Sequence, residues 1–78
     1  YAVGWKPWDA AAQYMASQKD YTQALAWNKK SISLQPNFYN HWTRVKLYRQ
    51  MGNKAAAEKA KKQANRASQV ELRKGLRL

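Results

Sequence analysis

The stretch Trp8–Pro36 runs WDAAAQYMASQKDYTQALAWNKKSISLQP, and its spacing decides the fold. Trp8, Ala11, Ala12 and Met15 fall at i, i+3, i+4 and i+7, one face of a helix. Pro7 suits a first helical turn and Asp9 a helix start, so a helix is predicted from about Pro7 to Ser17. Gln18-Lys19 reads as a turn, and Asp20 as the N-cap of a second helix, with Gln23 placed to close a capping box. Tyr21, Ala24, Leu25, Asn28 and Ile32 then form a stripe at helical spacing, with Trp27 beside it. Pro36 stops that helix, because the residue before a proline is pushed out of helical geometry.

Outward from this hairpin the pattern repeats. Asn37 or Asn40 is a cap for a third helix reaching about Met51, whose buried face would hold Phe38, Trp42, Val45, Tyr48 and Met51. Gly52 is a left-handed stop, followed by Asn53. From Lys54, Ala57, Ala60, Ala64 and Ala67 recur at +3, +4 and +3, an alanine seam on a helix with no breaker before Gly75. The expected fold is all-α: two stacked antiparallel helical hairpins in one domain over residues 1–78.

The residues just quoted resemble the tetratricopeptide repeat, a helical hairpin of 34 residues. Two units match, about 5–38 and 39–71, followed by a tail over 72–78. Trp8 and Trp42 are 34 apart; Ala24 and Pro36 follow Lys19 at +5 and +17, as Ala57 follows Gly52 at +5. Lys19 stands where the repeat has Gly in its inter-helix turn, and Ala11-Ala12 where it has Leu-Gly. The second unit is degenerate: Gln69 replaces the closing proline, and one residue is lost between Trp42 and Gly52. The resemblance implies a fragment of right-handed α-solenoid used as a protein-interaction scaffold, with a partner groove along the first helix of each hairpin. Polar positions expected on that groove are Gln13, Arg44, Lys46 and Arg49. The known carboxylate clamp of such grooves uses Lys and Asn where this chain has Asp9 and Gln13, so that clamp is not implied. A fainter resemblance, carried by Trp5, Trp8, Ala12-Gln13-Tyr14 and the run Gln23–Ile32, is to the helical C-terminal part of some secreted bacterial proteins. It implies a structural domain with no partner.

Charge is distributed unevenly over the 78 residues, which sum to +11. Residues 1–39 carry Lys6, Lys19, Lys29 and Lys30 against Asp9 and Asp20, net +2. Residues 40–78 carry eleven Lys and Arg against Glu58 and Glu71, net +9, and no aromatic follows Tyr48. Lys59, Lys61, Lys62 and Arg66 are the candidate surface for phosphate or an acidic partner. A basic helical module on RNA is therefore the alternative to protein binding, although stacking rings are missing from that half. An acidic protein or peptide is the expected partner.

Catalysis is not expected. His41 is a lone imidazole without the second and third ligands a metal site needs. Asp9 and Asp20 are explained as helix-start residues, and Glu58 and Glu71 have lysines at helical spacing. No cofactor is expected. The absence of Cys removes disulfides and thiolate sites and leaves no marker of compartment. No apolar run reaches membrane-spanning length. The chain begins at Tyr1, and so is expected to be a processed product or part of a larger protein. Leu72, Leu76 and Leu78 form a candidate assembly patch. A parent chain or a different protein is expected to cover it ahead of a second copy, because two strongly basic halves repel.

Overall fold

A computed structural model describes the backbone of residues 4–76 and the side chains through Val70. It is all-α, with no strand among the described residues. The helices are α1 (Trp5–Ser17), α2 (Tyr21–Leu34), α3 (Phe38–Gln50) and α4 (Lys54–Leu76). Helix α1 begins two residues before its expected start, capped by Gly4 without a side-chain bond. That places Asp9 a full turn inside the helix, where it is buried, rather than at the positive end.

The two short turns share one geometry. Lys19 (φ 61°) and Gly52 (φ 78°) are both left-handed. Behind them Asp20 N–H bonds Met15 O and Asn53 N–H bonds Tyr48 O, each at 2.9 Å, the six-to-one closure of a Schellman ending. The next residue in each case caps the following helix: Asp20 Oδ1 accepts from Gln23 N, and Asn53 Oδ1 from Ala56 N. A left-handed conformation costs an L-residue roughly 1–2 kcal/mol, so Lys19 is held there by the packing on either side. The turns lie 33 residues apart and α1 and α3 are both 13 residues long. In turn register, Ala12 therefore matches Val45 and Ala24 matches Ala57, all buried, while Trp42 matches Asp9 and not Trp8. The starts and ends of α1 and α3, the starts of α2 and α4 and the turns all keep this 33-residue spacing, so no residue is missing between Trp42 and the turn, and Trp42 simply stands one helix position past the equivalent of Trp8.

Helix α1 packs along α2, and α3 along α4, as two hairpins with three-residue connections. The hairpins meet through α3, which touches α1, α2 and α4, whereas α2 and α4 do not approach one another among the described residues. The result is a slab of 41 × 34 × 16 Å. Having three neighbours explains why α3 buries Asn40, Thr43, Val45 and Leu47 instead of a single stripe. Val45 with Ala57 and Ala60 forms the apolar core of the second hairpin, and Trp42 and Tyr48 pack against it. Ala64 completes the buried seam and Ala67 is half-buried. Met51, expected on the buried face, ends α3 and is 43% exposed.

Between the hairpins the joint is polar. Asn28, Ser31 and Asn40 have no exposed surface. Ser31 Oγ donates to the Trp5 carbonyl (2.9 Å), tying α2 to the start of α1. Asn40 Nδ2 donates to Ser31 Oγ (3.1 Å) and to Gln35 O (2.9 Å), and Asn28 Nδ2 donates to Asn40 O (2.8 Å). Asn37 and Asn40 also exchange backbone-to-side-chain bonds of 3.0 Å, the reciprocal capping box of α3. Buried amides of this kind are tolerated only when their bonds are made, and here the links are made by neighbouring helices and by the α2–α3 connection.

Candidate functional site

Two concave surfaces flank α3. One is an open trough between α3 and α4, bounded at one end by the α2–α3 connection. Its wider end, about 590 Å³, is lined by Gln35, Pro36, His41, Gln63, Arg66, Ala67 and Val70. Its narrower end, about 300 Å³, is lined by Arg44, Tyr48, Ala56, Lys59, Ala60 and Gln63. Gln63 belongs to both, so the two ends are continuous. Arg44, Lys59 and Arg66 bring three permanent cations to the lining, and among the described residues no carboxylate lines it. The spacing of Lys59, Gln63, Arg66 and Val70, at i, i+4, i+7 and i+11, puts all four on one flank of α4.

Arg44 is positioned before any ligand arrives. Its Nε donates to Asn28 Oδ1 (2.8 Å), and its guanidinium lies 5.9 Å from the centre of the Tyr48 ring. Those contacts fix the plane of the fork and extend the polar joint to the trough wall. His41 Nδ1 is buried without a hydrogen-bond partner. Burial holds the His41 pKa below its ordinary 6.5, and the nearby Arg44 charge lowers it further. A lowered folded-state pKa means the unfolded chain binds the proton more readily. Stability is therefore complete above about pH 6.5 and declines as pH falls through that value toward the folded-state pKa. We expect the melting temperature of the chain to fall between about pH 7.5 and pH 5, and His41→Gln to flatten that part of the profile. An unchanged profile in His41→Gln would assign the acid sensitivity to other groups.

The second surface is the cleft between α1 and α3. One part, about 180 Å³, is lined by Gln13, Ala16, Ser17, Thr43, Lys46, Leu47 and Gln50. It continues past Gln13 to Trp5, Lys6, Asp9, Ala10 and Tyr39, about 370 Å³.

These surfaces sort the residues singled out by the sequence. Of the expected groove set, Gln13 and Lys46 do share the α1–α3 cleft. Arg44 faces the trough instead, and Arg49 lies over the Trp42 ring, 5.4 Å from its centre. Helix α3 turns about 100° per residue, so Arg44, two positions from Lys46, lies on the opposite side of the helix, whereas Arg49, three positions on, stays next to Lys46. Of the α4 quartet, Lys59 and Arg66 line the trough, whereas Lys61 is half-buried on the opposite flank of the seam and Lys62 is exposed. Leu72 and Leu76 continue the α4 backbone, but their side chains, and Leu78 entirely, lie outside the described residues. Sequence reasoning did not find His41, Arg44 and Gln63 as companions of Lys59 and Arg66. The available signal was the i, i+3 spacing of His41 and Arg44 on α3, which becomes meaningful only once α4 is placed beside it.

Among the described residues no group of three His, Cys, Asp or Glu is placed to hold a metal ion. No helix among them is long and apolar enough to cross a membrane. No protein-family model, curated protein or solved structure matches the chain.

Proposed function

We propose that this chain is a non-catalytic protein-interaction module of the tetratricopeptide-like kind, two hairpins in a right-handed stack, whose partner is an acidic amphipathic segment seated in the α3–α4 trough. The observation that carries the reading is the trough lining: Arg44, Lys59 and Arg66, with no carboxylate among the described lining residues, beside Pro36, Ala67 and Val70. The cations suit carboxylates, and the apolar strip suits side chains between them. An amphipathic segment lying along the trough would turn its carboxylates to these cations and its apolar side chains to the strip. The equivalence of the two turns supports the repeat-like reading, since left-handed closures 33 residues apart followed by capping residues are what duplicated hairpins produce.

An RNA backbone would also meet cations here, but it would leave the apolar strip without a partner. It would also draw on every exposed lysine of α4, since phosphate contacts act through charge and not through placement. This separates the two partners experimentally. A fluorescein-labelled helical peptide of alternating Glu and Leu faces is expected to bind with roughly micromolar affinity, and Lys59→Glu with Arg66→Glu to weaken it about tenfold or more. Lys61→Glu with Lys62→Glu, a change of equal charge off the trough, is expected to weaken it less than about threefold. An oligonucleotide of uridines serves as the competitor. Equal losses from both double variants, or tighter binding of the oligonucleotide with a steep salt dependence, would overturn the peptide reading in favour of nucleic acid.

A further inference from the structure

The narrow end of the trough holds two cations that no described residue neutralises. Arg44 and Lys59 line it together with Tyr48, Ala56, Ala60 and Gln63, around about 300 Å³. Among the described residues neither cation forms an ion pair. Glu58 precedes Lys59 in the chain, but a helix turns about 100° per residue, and Glu58 does not reach the lining. Two uncompensated positive charges facing one small space repel each other, and an anion placed between them relieves that repulsion.

The placement of Arg44 selects among anions. Its Nε already donates to Asn28 Oδ1 at 2.8 Å, and its plane is set by the Tyr48 ring, whose centre lies 5.9 Å away. The terminal Nη pair remains for a ligand and keeps surface open to solvent. Lys59 is exposed and free to swing toward the same space. A phosphate monoester carries three terminal oxygens and about −1.5 to −2 charges at pH 7. Two of its oxygens can accept from the Arg44 pair and the third from the Lys59 ammonium, and its charge matches two cations. A carboxylate offers two oxygens and a single charge, as does a phosphodiester, so either leaves one of the cations unbalanced. Gln63, where the narrow end joins the wide one, adds an amide N–H for the same group.

We infer that the narrow end of the trough binds a phosphorylated side chain of the partner segment, held between Arg44 and Lys59, while the rest of the segment runs past Gln63 to Pro36, Ala67 and Val70. Resting on the trough as the partner site, this makes phosphorylation of the partner the event that strengthens the complex.

The test uses the whole chain, isotopically labelled, and three small probes. N-acetyl-O-phosphoserinamide is the monoester, N-acetyl-glutamic acid amide the carboxylate, and the O-methyl ester of the first the phosphodiester, as found in nucleic acid. At about pH 7.5 the monoester is expected to shift the Arg44 Nε–H and Gln63 side-chain amide resonances saturably, at about millimolar affinity, and the other two to bind about fivefold more weakly or worse. Lys59→Gln, at an exposed position, is expected to bring the three probes within about twofold of one another. Arg44→Lys keeps the charge but removes the fork, and is expected to weaken the monoester about fivefold. Lys62→Gln, off the trough, is expected to leave it unchanged. No saturable shift with the monoester, equal binding of the three probes, or a monoester preference that survives Lys59→Gln would overturn the assignment. A parallel titration with the Glu–Leu peptide separates the two readings. Peptide binding with no monoester preference removes the phosphate site alone, whereas a monoester preference without peptide binding upholds that site and removes the amphipathic partner.

Discussion

Replacing Trp42 with alanine is expected to cost about 3 kcal/mol, at the lower end of the range for removing a large aromatic from a packed site. The ring is half-buried, packs on the Val45–Ala57–Ala60 core, and stacks on Phe38 with centres 5.8 Å apart. It carries so much weight because its partners on α4 are alanines. An alanine seam lets α4 approach closely but contributes little apolar area of its own, so α3 must supply most of what is removed from water. A domain of this size has a total stability of roughly 4–12 kcal/mol, of which this one ring is a large share. The melting temperature should fall by more than about 10 °C, given about 4–8 °C per kcal/mol for so short a chain. Trp42→Phe should recover much of the loss. A shift of only a degree or two in Trp42→Ala would mean that α4 is held to α3 by something other than this ring.

Asn40→Ala is the second large effect, and it works through hydrogen bonds and not through volume. The side chain makes three: it accepts from Asn37 N–H and donates to Ser31 Oγ and Gln35 O. Asn37 Nδ2 continues to serve Gln35 O, so the group left without a partner is the buried Asn37 N–H, and the capping box of α3 is lost with it. An orphaned buried donor costs about 1–3 kcal/mol, and the N-cap bond from the residue 40 N–H to Asn37 Oδ1 survives, so a loss of about 2 kcal/mol is expected in urea unfolding. Asn28→Ala should couple to it, because Asn28 bonds the Asn40 carbonyl on one side and Arg44 on the other. A double-mutant cycle between them should give a coupling of at least about 0.5 kcal/mol. Strict additivity, or a midpoint unmoved by Asn40→Ala, would show that the hairpins are joined by apolar contacts alone.

The same network links stability to binding. Arg44 is oriented in the trough by Asn28, and Asn28 is oriented by the backbone of Asn40. The joint between hairpins therefore also aims one of the cations available to an acidic partner. A polar joint has a further consequence for α2, whose buried residues Ala24, Asn28 and Ser31 are small, leaving Tyr21, Leu25 and Ile32 half-buried at its flanks. The first hairpin takes its aromatic packing from elsewhere, with Trp8 edge-on to Trp27 at 6.4 Å and Lys30 above Trp8 at 5.8 Å.

By itself the sequence determined the number of helices, their ends to within two residues, and the alanine seam of α4. It could do so because caps, turns and helical periodicity are local. Asp20, Asn37, Gly52 and Asn53 each act on the next turn of chain, and Pro36 acts on the residue before it. Tertiary structure alone decided what the remaining faces of each helix meet. Asp9 reads as a helix-start carboxylate until α1 is seen to begin at Trp5, which carries it into the cleft wall. Arg44 reads as a groove cation beside Lys46 until α3 acquires three neighbours and turns it to the trough side, where it bonds Asn28 of α2. Lys59 and Arg66 separate from Lys61 and Lys62 only because the seam fixes the rotation of α4 against α3. The spacing of charges along a helix gives their angular relation, but the direction in which that pattern faces is set by partners distant in sequence, and no local rule contains it.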